Sequence, residues 1–452
     1  MRRYLLLLLL LTLLLAGCRR VPADPTEPVS GWKDEGNQTY YINKDGSIHV
    51  GWLKLDGKRY CLGRDGVLQT GWFERSGKRY YADQNGVLQT GWLELDGKRY
   101  YTAPDGILQT GWLELDSKLY YADQNGTLQT GWFEVDSNRY YADKDGVLQT
   151  GWLELDGKRY YADESGILLV GWHDLDTGRY YFNTDGVMHT GWLEWNNRRY
   201  HLNASGNPSP AGWLEADGTL YYLDTVGAAR IGWLQVDGNT YYLKDDGSLA
   251  KGKLTIDGVN HYFTSKGIEV VLVNPWNYVP DNYTVEIVYI ENDNYVDKSC
   301  IDPLREMLQA CRAAGLNPQV CSGYRRHTTQ TTLFNNKVNY YLSLGYDSEN
   351  ARRLAAMEVA VPGTSEHELG LAVDIVDNSY WVLDEYQEKT PAQKWLMQHC
   401  WEYGFILRYP NSKSASTGII YEPWHYRYVG KELAMEIRDS GLCLEEYFES
   451  LS

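Results

Sequence analysis

The chain has 452 residues and a mass of 51.9 kDa, and its 43% hydrophobic, 23% charged and 14% aromatic content excludes a disordered, collagen-like or disulfide-knot protein. At roughly 100 to 200 residues per domain, two or three folded units are expected. Trp (17) and Tyr (38) far outnumber Phe (7), which favours half-exposed aromatic surfaces, and a formal charge of -17 argues against a polynucleotide held by phosphate neutralisation.

Met1-Arg2-Arg3-Tyr4 is a short basic head, followed by an almost unbroken apolar run over residues 5–15. That run is shorter than the roughly 20 residues of a membrane-spanning helix, so it reads as an export signal. Leu15-Ala16-Gly17-Cys18 resembles the lipobox of bacterial lipoproteins. The resemblance implies cleavage before Cys18 and a diacylglycerol on its sulfur, two chains that together anchor stably at the outer face of the cytoplasmic membrane. Pro22, Pro25 and Pro28 make residues 18–30 an extended spacer behind the 1–17 signal. The six remaining cysteines show no Cys-x-x-Cys spacing, so a zinc ribbon is not indicated, and their pairing stays open.

Gly-Trp recurs at 31, 51, 71, 91, 111, 131, 151, 171 and 191, then at 212 and 232, with a degenerate unit opening at Gly252-Lys253. Each unit holds two short alternating stretches separated by signals such as Asp96-Gly97, which predict a β-hairpin. A lone hairpin cannot bury its apolar face, so an all-β stacked array is expected over 31–268. The Gly-Trp, Tyr-Tyr and Gly signature resembles the cell-wall-binding repeat family, which includes choline-binding and glucan-binding modules. In the choline-binding branch a second Trp precedes the Tyr pair and completes a cation–π cage. Here that position holds Arg59, Arg79, Arg99, Arg139, Arg159, Arg179 and Arg199 in seven units. The departure favours a wall glycan or other carbohydrate over choline, with Trp92, Tyr100, Trp112, Tyr120, Trp132 and Tyr140 as candidate stacking residues; the same rings can equally form the core between hairpins.

From about residue 269 the period disappears and helical spacing begins. Asp302-Pro303 predicts a helix start with Leu304, Leu308 and Cys311 on one face and Gly315 as terminator. Thr390-Pro391-Ala392-Gln393 has capping-box spacing, with Trp395, Leu396, His399 and Cys400 inward and Gly404 as stop. β-prone runs at 285–290, 318–324, 371–376, 405–409 and 424–428 complete a predicted α+β domain, 269–452, with a small, mainly antiparallel sheet. His367 and Asp374 stand seven apart around Gly370, and Glu422 precedes His425 by three. Two imidazoles and a carboxylate can hold Zn(II) with an open position, and Glu422 can act as the base. His327 and His399 are assigned packing or surface roles, and Asp377 is read as a solvated loop carboxylate.

Together with Ser322-Gly323-Tyr324-Arg325 and Gln330, the patterns Ser365-x-His367-x-x-Gly370-x-Ala372-x-Asp374 and Glu422-x-x-His425 resemble the VanY-type D-alanyl-D-alanine carboxypeptidases. The resemblance implies that His367, Asp374 and His425 bind zinc and that Glu422 is the catalytic base. It also implies that Arg325 stabilises the oxyanion and that Gln330, Ser365, Tyr324 and Trp424 serve the substrate. Arg326 and Glu368 depart from the Ser and Gln common in relatives. The implied protein is a lipid-anchored, wall-associated zinc carboxypeptidase that removes the terminal D-Ala of peptidoglycan stem peptides. Its alternatives are an L,D-carboxypeptidase or endopeptidase with the same zinc site, or a wall-binding surface protein with an inactive peptidase domain.

Overall fold

The computed structural model describes residues 29–451, so the export signal and Cys18 lie outside the described residues. Two compact units are present, one ending at His189 and the other beginning at Thr190. None of the described helices is long and apolar enough to cross a membrane.

In the first unit each twenty-residue repeat is one antiparallel hairpin. Strands Gly91–Leu95 and Lys98–Thr102 pair so that Trp92 faces Tyr101 and Leu93 faces Tyr100. Asp96 and Gly97 both take positive φ, 52° and 71°. This is the type I′ turn, whose twist matches the flanking strands. Period-2 alternation then supplies an apolar face that is buried between neighbours. Leu113, Tyr120, Ala122 and Leu128 form one cluster, completed by Tyr101 of the preceding repeat and Val147 of the following one. The loop closing each repeat also bonds backwards, as when Leu108 N donates to Arg79 O and Leu128 N to Arg99 O, each at 2.9 Å.

The repeat arginines are part of this scaffold. Trp92 meets Tyr101 and Tyr120 edge-on, with centroids 5.1 Å apart in both pairs. The Arg99 guanidinium lies 4.8 Å from the Trp92 ring centroid, and its Nη1 donates to Asp145 O at 2.8 Å. Arg59, Arg139 and Arg199 repeat the arrangement on Trp52, Trp132 and Trp192, bonding the carbonyls of Asp105, Asp185 and Asp246. The candidate stacking surface is therefore corrected. Tyr120 and Tyr140 are buried at 8% and 7% exposure, with Trp92 and Trp112 of the preceding repeats edge-on against them, and Tyr100 is half-buried. Arg99 and Arg139 lie on Trp92 and Trp132, whereas Trp112 has Leu119 at the arginine position; Trp92 and Trp112 are both exposed, at 38% and 40%.

The second unit opens with further hairpins, the last widened to three strands as Glu269–Val270 pairs with Val259–Phe263. Tyr262, in the last of these hairpins, joins Leu272, Leu433, Ile437, Leu444 and Tyr447 in one buried cluster and meets Phe448 at 5.3 Å, so core is shared across the 268/269 boundary expected from the loss of period.

The C-terminal part is α+β, with helices α1 (Lys298–Ala313), α2 (His327–Ser343), α3 (Ser348–Glu358), α4 (Pro391–His399), α5 (Ser414–Thr417), α6 (Lys431–Ser440) and α7 (Leu444–Ser450). Its sheet runs in the order Pro318–Ser322, Ala372–Asp377, His425–Tyr428, Phe405–Leu407, antiparallel throughout. Leu304, Leu308 and Cys311 of α1 and Leu396 of α4 pack on Val320, Val373, Ile375 and Tyr426 of the sheet. Helix α1 starts earlier than Asp302 predicts. Asp297 caps it by accepting from Ser299 N at 2.9 Å, and Pro303 lies inside. The carbonyl that Pro303 leaves without its usual donor belongs to Ser299 in the first turn, where the disruption is smallest. At α4, Thr390 caps Gln393 N as expected, but the Gln393 side chain turns to the sheet, bonding Ile375 O and Tyr426. Asp377 is buried rather than solvated, accepting from Ser379 N and Ala392 N. The six described cysteines are free thiols.

Candidate metal centre

The sheet register brings Asp374 directly opposite His425, and Ser322 opposite Asp374. His367 arrives from a 3-10 turn, Glu366–Leu369, which Gly370 ends at a φ of 72°. A Cβ at Gly370 would sit 2.8 Å from Val285 and 3.0 Å from Asp297 N, so glycine is needed for close approach as well as for its backbone angle. His367 Nε2 lies 3.3 Å from Asp374 Oδ2, and His425 Nδ1 lies 3.0 Å from Asp374 Oδ1. One ligand atom from each of the three residues falls within 4.8 Å of the others, and all three side chains are buried. Ligand atoms bound about 2.0–2.1 Å from a tetrahedral zinc lie about 3.3 Å apart, so the donor types fit that ion and the two imidazole–carboxylate separations match its spacing.

The electrostatics separate the groups by role. Burial, reinforced by Arg325, lowers His367 to about 4, so its imidazole is neutral. For His425 burial works the other way from its neighbours, and the carboxylates of Asp374 and Glu366, which face its two ring nitrogens, win, raising it to about 9. A field that draws a proton onto one imidazole also favours a cation at the same place. Burial also raises Asp374, but His367, His425 and Arg325 outweigh it and hold the carboxyl well below its usual range. Glu422, with Oε2 3.6 Å from His425 Nδ1, is pushed up to about 8, chiefly by burial. A carboxyl tuned towards neutrality can both accept and return a proton near pH 7.

The three candidate ligands open into a cleft of about 500 Å³ lined also by Arg325, Ser365, Glu422, Trp424, Tyr409 and Lys337. Arg325 donates to Asp374 Oδ2 at 2.7 Å, to Ser322 Oγ at 3.0 Å and to Gln330 Oε1 at 3.4 Å. Gln330 is corrected as a substrate contact. It is fully buried, and its amide donates to Ala360 O at 2.7 Å, so it holds Arg325 from behind. Tyr324 likewise is not among the lining residues of the cleft; its backbone N bonds Tyr295 O. Glu368 turns away from the ligands to pair with His327 at 2.8 Å, while His399 stacks on Trp395 at 4.7 Å. Sequence reasoning passed over Glu366, which lies behind His425, and over the Lys337–Glu358 pair on the cleft wall.

Residues 293–431 match the VanY family, D-alanyl-D-alanine carboxypeptidase. The bifunctional D-Ala-D-Ala dipeptidase and D-Ala-D-Ala carboxypeptidase VanXYC of Enterococcus gallinarum is 37% identical over 147 residues, which are 31% of this chain and 72% of that protein. The chain belongs to the VanY family. The D-alanyl-D-alanine carboxypeptidase of Enterococcus faecalis is 42% identical over 181 residues, 40% of this chain and 66% of the relative, so the chain spans just under two thirds of that protein. Outside the VanY match, nine stretches between residues 30 and 249 match the cell wall binding repeat. Among solved structures, a VanY D,D-pentapeptidase in complex with Zn(II) is 43% identical, covering 39% of this chain and 97% of the other at a TM-score of 0.36. CbpJ from Streptococcus pneumoniae is 32% identical, covering 53% of this chain and 100% of the other at a TM-score of 0.45.

Proposed function

We propose that this VanY-family chain is a zinc-dependent carboxypeptidase that removes the C-terminal D-Ala from peptidoglycan stem peptides, held at the cell wall by its repeats. The observation that carries the reading is the convergence of His367 Nε2, an Asp374 carboxylate oxygen and His425 Nδ1 beside the buried carboxyl of Glu422. His367, Asp374 and His425 would hold the ion, which when bound would supply a Lewis acid for water and for the scissile carbonyl. Glu422 takes the proton of the attacking water and returns it to the departing amine of D-Ala. Arg325, braced by Ser322 and Gln330 in the cleft lining, supplies a fixed cation for the negative charge that grows on the carbonyl oxygen. Ser365 and Trp424 line the same cleft and position the peptide.

The repeats support wall association, with a glycan or other carbohydrate as ligand. Exposed Trp112 and the similarly uncapped Trp213, with Leu220 at the arginine position, offer the open faces such a ligand needs. Attachment to the membrane through a lipid on Cys18 rests on the sequence of the first 18 residues. Zinc-loaded protein incubated with pentapeptide and tetrapeptide stems, followed by mass analysis, tests the activity. Loss of one D-Ala from the pentapeptide, abolished by His367→Ala, is expected. Loss from the tetrapeptide instead assigns L,D activity, and no release from either removes the carboxypeptidase reading.

A further inference from the structure

Each metal-ligating imidazole needs its other nitrogen fixed, because the ligand atom must present a lone pair. For His367 the backbone does this: Nδ1 lies 2.7 Å from Gly323 O, which can only accept, so Nδ1 carries the hydrogen and Nε2 is free to bind. His425 is turned the other way round. Its Nδ1 faces Asp374, and its Nε2 points into the protein, where it and Glu366 Oε2 are both buried with no other hydrogen-bond partner. These two atoms face each other at 3.6 Å, a gap that a shift of about 0.7 Å closes to an ordinary hydrogen bond.

Glu366 is held for this task by a buried charge cluster. Its Oε1 accepts from Arg408 Nε at 2.8 Å and from Arg427 Nη1 at 2.9 Å, which leaves Oε2 for His425. Arg408 is fully buried and also donates to Glu445 Oε2 at 2.9 Å, while Arg427 Nη2 donates to Val271 O at 2.9 Å. Asn274 in turn donates to Glu445 Oε1 at 3.0 Å. Val271, Asn274 and Glu445 all lie outside residues 293–431, so the support of the metal ligand reaches beyond the matched family segment on both sides.

We propose that Glu366 is the positioning residue of the metal centre. It accepts the Nε2 hydrogen of His425, which leaves Nδ1 as the ligand nitrogen, and it is locked in place by Arg408, Arg427, Glu445 and the segment that enters the domain from the last repeat. The inference rests on the zinc-site reading above but not on the substrate assigned there.

The test uses the full chain. In 15N-histidine-labelled protein, with His425 assigned by its absence in His425→Asn, zinc-loaded wild type is expected to carry the hydrogen on Nε2 of His425 and on Nδ1 of His367. Competition with a chromophoric chelator is expected to show Glu366→Gln binding zinc about 10- to 100-fold more weakly, the usual effect of losing a carboxylate behind a ligating histidine. Glu366→Asp keeps the charge between the two arginines but withdraws the carboxylate by one methylene. It is expected to fold as wild type in metal-free melting and still to bind zinc at least tenfold more weakly. Glu445→Gln, which loosens the clamp without touching the Glu366–His425 pair, is expected to show a smaller loss of affinity. Should Glu366→Gln fail to fold, Glu366→Asp and the wild-type tautomer decide. The proposal is overturned if Nε2 of His425 carries no hydrogen, or if Glu366→Asp binds zinc within twofold of wild type. Absence of stoichiometric zinc in wild type would instead remove the metal reading itself, and normal zinc and tautomer results without D-Ala release would remove only the carboxypeptidase assignment.

Discussion

Replacing Arg99 by Ala separates the scaffold role of the repeat arginines from a role in ligand binding. Two interactions are lost. The guanidinium 4.8 Å from the Trp92 centroid contributes about 0.5–1 kcal/mol at an exposed site. The hydrogen bond to Asp145 O, 2.8 Å long and water-accessible, contributes about 0.5–1 kcal/mol, since the freed carbonyl regains water. The sum, about 1–2 kcal/mol, should appear locally, because a stacked repeat contacts mainly its neighbours. Native-state hydrogen exchange is the assay. Amides of the hairpins at Gly91–Thr102 and Gly131–Ala142, joined by the Arg99 bridge, should open about 5- to 30-fold more often. The C-terminal sheet should be unchanged, and Arg99→Lys should recover part of the loss, because it restores charge without the planar fork. Acceleration below twofold, or an equal change in the C-terminal sheet, would refute the idea that arginine stitches hairpins two repeats apart.

Glu422→Gln should lower kcat for D-Ala release about 10²- to 10⁴-fold while zinc content by metal analysis stays stoichiometric, since Glu422 stands beside the ligand set and not in it. Gln393→Leu would leave the buried Ile375 carbonyl and Tyr426 hydroxyl without their partner; about 2–5 kcal/mol of stability should disappear in denaturant titration. Glu446 accepts from Lys413, Ser416 and Cys443 N, and these contacts lower its pKa from 4.5 to about 2. A depressed folded-state pKa means a contribution that is complete above about pH 4.5 and is lost as the pH falls towards 2. Glu446→Gln should therefore flatten the melting temperature over that window relative to wild type. Burial pushes the thiols of Cys300 and Cys400 up to about 12, so neither should react with a thiol reagent at pH 8 until denaturant is added.

The hairpins and the zinc-ligand candidates were legible in the sequence because each is written in short range. A type I′ turn needs residues that accept positive φ at its own two positions, such as Asp-Gly, a hairpin needs alternation over a handful of residues, and the candidate ligands sit in two compact motifs, one on the 3-10 turn and strand containing His367 and Asp374, the other around His425. Burial and register were not legible, because both depend on which distant segment packs alongside. Tyr120 reads as an open stacking face, yet Trp92 of the preceding repeat packs edge-on against it and it is buried. Arg99 reads in the sequence only as a departure from the choline-binding pattern, and its contact with Asp145, 46 residues on, makes it a brace. Glu366 sits one residue from a zinc-ligand candidate in sequence, but its environment is made by arginines 42 and 61 residues away. Local chemistry names the groups that can bind a metal. Tertiary packing decides which nitrogen each imidazole offers and what holds it there.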